Sequence, residues 1–282
     1  MRRLFYSLAL LSILMFACSI PSLPSQPTTA TIPPAATIIP GPTDTLVPID
    51  TLMPTETTGP IANVTCNELS FYLDPALASG YNCETVPESA EGIEITPQYT
   101  NITFQGYILS GKFFEAHISV FPVQRYSQLL PDNIPGQVTD LQALIGGGPT
   151  GNSLPLLPIF NAAQVFHAQY QVVPFTNGGG IRFITLYAQY YAPINNHDLF
   201  YTYQGLTTDG LYWVSAILPI NNPILPANGD TPPGGMSQEQ FSANYVSYLT
   251  DLTSQLNSQA SDSYTPSLAA LDALVASIKI QP

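Results

Sequence analysis

Residues 177–220, NGGGIRFITLYAQYYAPINNHDLFYTYQGLTTDGLYWVSAILPI, decide how this chain folds. Aromatic and β-branched residues dominate the stretch, as they do in strands. It reads as three consecutive antiparallel strands, over residues 181–191, 199–206 and 211–220. Thr207-Thr208-Asp209-Gly210 joins the second to the third, and Asp-Gly tolerates the positive φ of a tight hairpin. Asn195-Asn196-His197-Asp198 joins the first to the second and is again made of turn formers. Apolar groups stand on both faces of these strands, so a sheet covered on both sides is expected.

The stretch sits inside a region, residues 61–282, with a sheet-and-helix pattern throughout. Residues 66–83 read as a helical turn or two stapled to the sheet. Residues 102–110 and 113–121 read as a hairpin about Ser110-Gly111. Residues 127–130 and 138–145 are helical in spacing, stopped by Gly146-Gly147-Gly148. Residues 164–173 alternate, with Phe166, Ala168, Tyr170 and Val172 on one side and His167, Gln169 and Gln171 on the other. Ser237-Gln238-Glu239-Gln240 is a capping box. It opens a helix striped by Phe241, Tyr245, Tyr248, Leu249, Leu252 and Leu256. Thr265 followed by Pro266 marks the start of a last helix, with Leu268, Leu271, Leu274, Val275 and Ile278 facing inward. The expectation is one α+β domain, an antiparallel sheet of about six strands flanked by helices. This order of elements resembles the fold shared by PsbP-type photosystem proteins and Mog1-type proteins. The likeness is one of topology and brings no functional residue with it.

Residues 19–60 are different in kind. They are rich in Pro and Thr, nearly uncharged and without a periodic apolar face, and such a chain cannot bury a core. They are expected to form a disordered stalk. Fully extended, its 42 residues would span roughly 130 Å.

Residues 1–18 begin with Arg2 and Arg3, continue with an apolar run and end Met15-Phe16-Ala17-Cys18. The run has the length of a signal peptide's core and is too short to span a bilayer. It resembles the signal of bacterial lipoproteins. That resemblance implies a diacylglycerol on Cys18, cleavage before it, and a membrane-attached, extracytoplasmic protein. The alternative is an ordinary secretory signal. Of three cysteines, Cys66 and Cys83 then remain as a disulfide pair suited to an oxidising compartment.

Charge bounds the partners. The chain carries 19 acids against six Lys and Arg, a formal net charge of −13 that becomes −15 once Arg2 and Arg3 are removed. Such a surface repels phosphates, which argues against nucleic-acid binding, and anionic headgroups as well, so the membrane must be held through the lipid.

The motifs of metalloproteases, serine hydrolases, phosphate loops and thiol oxidoreductases are missing, and no cofactor or metal is implied. A cluster of His117, Glu115 and His167 would need their strands to pair. Asn177-Gly178-Gly179-Gly180 reads as a flexible turn into the strand, with an anion-binding nest the alternative. Asn195, Asn196 and Asp198 likewise read as a turn rather than as Ca²⁺ ligands. Arg182 needs a partner within a central strand, either Glu115, Asp209 or a ligand's carboxylate. Tyr187, Tyr201, Tyr203 and Trp213 are candidates for a stacking platform, or else for cross-strand packing. The function expected is non-catalytic binding of an extracellular small molecule, glycan or protein. An assembly factor for a membrane complex, or a hydrolase-type enzyme with an unfamiliar site, are the alternatives.

Overall fold

The computed structural model describes residues 61–92 and 94–281; the leader with Cys18 and the stalk lie outside them. Over these described residues the architecture is α+β, with five helices and a seven-stranded antiparallel sheet. In chain order come β1 (Val64–Cys66), β2 (Leu69–Phe71), β3 (Gly80–Val86), β4 (Tyr99–Gln105) and β5 (His117–Pro122). Helices α1 (Val123–Leu129) and α2 (Ile134–Ile145) follow. Next are β6 (Ala163–Gln164), β7 (Ala168–Phe175), β8 (Gly178–Thr185), β9 (Tyr187–Ala188), β10 (Phe200–Thr207) and β11 (Tyr212–Pro219). The chain closes with α3 (Gln238–Ala243), α4 (Tyr245–Ser258), α5 (Leu268–Ala276) and β12 (Lys279–Ile280).

The large sheet runs β3-β4-β5-β11-β10-β8-β7, so the 177–220 stretch supplies three of its strands. Register fixes the two faces. Ile118, Ala216, Tyr203 and Arg182 are opposed across neighbouring strands and share one face, which packs on α4 and α5. Phe121 and Trp213 are opposed on the other face, which packs on α1, α2 and the loop carrying Leu154, Leu156 and Leu157. Both faces are dry, which is why alternation is faint in β10 and β11.

The structure corrects several expectations. The sheet has seven strands, not about six. Its strand β8 stops at Thr185; Tyr187 and Ala188 leave the sheet to pair with Gln164 and Ala163 instead. Of Asn177-Gly178-Gly179-Gly180 only Asn177 lies in the turn; the three glycines already begin β8. The reason is steric. A Cβ on Gly180 would come within 2.6 Å of both Gly205 Cα and Tyr203 Cζ, so the two opposed glycines make room for the Tyr203 ring. Residues 66–83 hold no helix: β1 and β2 form a hairpin about Asn67 (φ +50°) and are joined by β12 in a small second sheet. Strands β4 and β5 do pair, but a long excursion over residues 106–116 separates them in place of a tight turn at Ser110-Gly111. In β7 a bulge at Gln169 (φ +56°) reverses the alternation, leaving Ala168, Val173 and Phe175 buried and Val172 37 % exposed. The Ser237–Gln240 capping box is present in full, but the helix it opens breaks at Asn244 into α3 and α4. The last helix is capped by Ser267, whose hydroxyl accepts from Ala270 N, and not by Thr265.

Cys66 and Cys83 are bonded, tying β1 to the edge strand β3 across 17 residues of sequence. Closing a loop of that length is worth about 3 kcal/mol in lost unfolded-state entropy. Changing both cysteines to serine should therefore lower the denaturant-extrapolated unfolding free energy by about that amount. A loss under about 1 kcal/mol would mean the link is redundant with β-pairing.

Candidate functional site

The site grows from a buried amide. Gln204, in the middle of β10, has no exposed surface. Its Oε1 accepts from Trp213 Nε1 at 2.7 Å and from Leu157 N at 3.0 Å; its Nε2 donates to Thr202 Oγ1 at 2.8 Å and Ser215 Oγ at 2.9 Å. Ser215 Oγ in turn donates to Leu157 O. These bonds fasten the loop at residue 157 to the sheet through both of that residue's backbone groups, and the loop carries Phe160 beyond it. A buried polar group so fully partnered specifies position rather than merely tolerating burial.

Phe160 is thereby held at the sheet end where β8 finishes and β10 begins, within a chain of aromatic contacts. Its ring centroid lies 5.2 Å from Phe114 and 4.9 Å from Tyr187, and Phe113 lies 4.8 Å from Phe114. The β6–β9 pair fixes Tyr187, whose hydroxyl accepts from Gln164 Nε2 at 3.0 Å, while Gln164 Oε1 accepts from Leu154 N. Burial pushes the Tyr187 phenol up to about 12, so it stays protonated. Phe113 N donates to His197 O at 3.0 Å, holding the 106–116 excursion against the other wall.

The result is a cleft of about 540 Å³ walled by Phe113, Phe114, Phe160, Tyr187 and Tyr190, with Glu94, Asp198, Asn161 and Gln189 at its edge. Phe113 and Tyr190 are 66 % and 65 % exposed, and both line this one cleft, which gathers exposed ring surface in one place. A neighbouring groove of about 660 Å³, floored by Tyr99 and Tyr126, shares Glu94, Phe160 and Asn161 with it. The cleft is the better candidate of the two because its exposed rings and polar edge converge on one space.

The residues singled out from sequence fall in separate places. Tyr187 lines the cleft. Tyr201, Tyr203 and Trp213 are completely buried and offer no face to a ligand. Tyr203 donates to Val173 O at 2.9 Å across two strands. Arg182 is paired neither with Glu115 nor with Asp209. Its Nε lies 3.3 Å from Asp272 Oδ1 on α5, too poorly aligned to donate, so this contact is Coulombic. Its terminal nitrogens donate to Gln169 O and, at 2.8 Å, to Gln171 Oε1. Tyr201 Oη donates to the same Asp272 oxygen at 3.0 Å. Burial raises the Asp272 carboxyl despite the guanidinium beside it. This is an internal clamp between the sheet and α5, inaccessible to a ligand's carboxylate.

Arg182 and His117 do not converge: they lie on opposite faces, three strand spacings apart, about 14 Å. His117 Nδ1 bonds to Glu115 O, and burial lowers its pKa; His167 lies just before β7, far across the sheet from β5. The enzyme alternative that needed these groups together lacks that geometry. Among the described residues no His, Cys, Asp and Glu cluster could hold a metal. The oxygens of the 195–198 turn serve the fold: Asn195 Oδ1 accepts from His197 N and Asp198 N, and Asn196 Oδ1 from Asn222 N.

Sequence reading missed Phe113, Phe114 and Phe160. Each sits in an irregular loop where no period marks its direction, and only the adjacency Phe113-Phe114 beside a Gly-Lys turn hinted at it. Compared with protein-family models, curated proteins and solved structures, the chain shows no significant match.

Proposed function

We propose that this chain is an extracytoplasmic binding protein, tethered to a membrane by a lipid on Cys18, spaced by the Pro/Thr-rich stalk and without a catalytic step. The aromatic cleft carries the reading. Rings held half-exposed at one end of a rigid sheet, with carboxylates and amides at the rim, suit a ligand with an apolar or flat face and a polar edge. Melting of the full chain in detergent, against separate panels of sugars, short peptides, carboxylates and organic amines, tests it. Binding to the native state raises Tm by mass action. The expected result is a rise with one class that is lost in Phe113→Ser and Tyr190→Ser. A rise that survives both changes moves the site elsewhere, and no rise in any panel overturns the binding reading.

The tether has its own expected outcome. Cys18→Ala should shift the protein from the detergent-requiring membrane fraction to the medium or to an unprocessed form. A processed Cys18→Ala chain that still requires detergent would overturn the lipid anchor.

A further inference from the structure

The cleft's charge says more about what it takes. Of the two carboxylates at its edge, Asp198 is already engaged: Oδ1 lies 2.6 Å from His197 Nδ1, and Oδ2 accepts from Asn195 Nδ2 at 2.8 Å. Glu94 is exposed, and no ion-pair partner for it occurs among the described residues. None of the described basic side chains is engaged with Glu94, and Lys112 lies within the field of Asp198. Lys112, next to Phe113, directs its ammonium onto Asn196 O and Asn221 Oδ1. Arg125 forks onto Glu88, and Arg182 is buried. The site therefore combines exposed π faces, an uncompensated carboxylate and a chain of net charge −13. Anions are disfavoured by all three. A cation is favoured by all three, through its attraction to ring faces and to Glu94 and through the long-range field of the chain.

We propose that the cleft binds an organic cation, an alkyl- or quaternary ammonium group, against Phe113 and Tyr190 with Glu94 as its counter-charge. This rests on the reading of the cleft as a ligand site. A cavity of about 540 Å³ accepts a trimethylammonium head and part of what it is attached to.

Calorimetry on the full chain in detergent tests it with two probes of one shape. Choline carries the charge, and 3,3-dimethyl-1-butanol is its neutral isostere. Sodium chloride titrated at the same ionic strength serves as the blank. Choline is expected to bind, with the isostere roughly tenfold weaker or worse. Glu94→Gln should weaken choline several-fold and leave the isostere unchanged, and raising the salt should weaken choline alone. Because Glu94 is exposed and makes no hydrogen bond or ion pair among the described residues, its change to glutamine leaves the fold intact. Equal affinity for the two probes, or a Glu94→Gln protein that binds choline as before, overturns the cation proposal while leaving a ligand cleft in place. No binding of choline overturns it too; the cleft reading itself falls only if the wider melting panels are also without effect.

Discussion

Arg182→Met should cost about 3–5 kcal/mol of stability at pH 7, the usual penalty for stranding a partly buried charge. Methionine fills much of the same volume, so the loss is electrostatic rather than a cavity effect. Without the guanidinium, Asp272 faces Tyr201 alone, and Gln169 O and Gln171 Oε1 lose their donors. The pH dependence identifies the cause. Asp272 already has a raised folded-state pKa, chiefly from burial, and losing the cation that opposes burial raises it further. A raised folded pKa means the folded state holds the proton more tightly than the unfolded state does. That contribution is fully present below the unfolded-state pKa and is lost as pH rises through the folded one. The variant's deficit against the parent protein should therefore shrink on going from pH 7 into the acid range. Chemical denaturation at several pH values checks it; a deficit independent of pH would place the cost in packing. Arg182→Met/Asp272→Asn should recover part of the loss, since no bare charge remains.

The second large effect belongs to Gln204→Leu. Leucine is close in volume, yet it leaves Leu157 N and Trp213 Nε1 without acceptors and Thr202 and Ser215 short of a donor. Orphaning two buried donors costs about 2–6 kcal/mol. The distinctive outcome is local. The loop bearing Phe160 loses its fastening, so hydrogen exchange at the Leu157 amide should accelerate far more than in the centre of β11. Any ligand of the aromatic cleft should bind more weakly even under conditions where the sheet remains folded. Unchanged protection of Leu157 would show that the loop is held by apolar packing alone.

How much of this was legible beforehand follows from what each residue's neighbours are. The meander from 177 to 220 could be read because aromatic and β-branched runs with Asp-Gly between them have few alternatives. The capping box at Ser237 is local chemistry and was read directly. Elements set by partners distant in sequence could not be. Residues 64–71 are strands because β12, some 200 residues later, completes their sheet. The glycines at 178–180 look like a turn until Gly205 and the Tyr203 ring are placed opposite. The bulge at Gln169 is held by α4: Gln169 N donates to Asn257 Oδ1 and its side chain to Leu256 O. At the cleft, the sequence marks Tyr187 as a ring for stacking and Asp198 only as a turn residue. Tyr201, Tyr203 and Trp213 are aromatic residues in strands, and from composition alone a ring in the core looks the same as a ring at a rim.

The Cys66–Cys83 bond also settles what happens when the chain is pulled from its N-terminal side. Tension entering at Ile61 reaches Cys66 and crosses covalently to Cys83 on β3, bypassing every residue between them. Strand β1 carries the load as far as Cys66, but β2 and its pairing with β12 lie beyond the crossing and are shielded, and the force arrives at the edge of the seven-stranded sheet. About 55 Å of contour is withheld from extension while the bond is intact. A reducing environment would release that length as slack, turning a stiff coupling between Ile61 and the sheet into a compliant one.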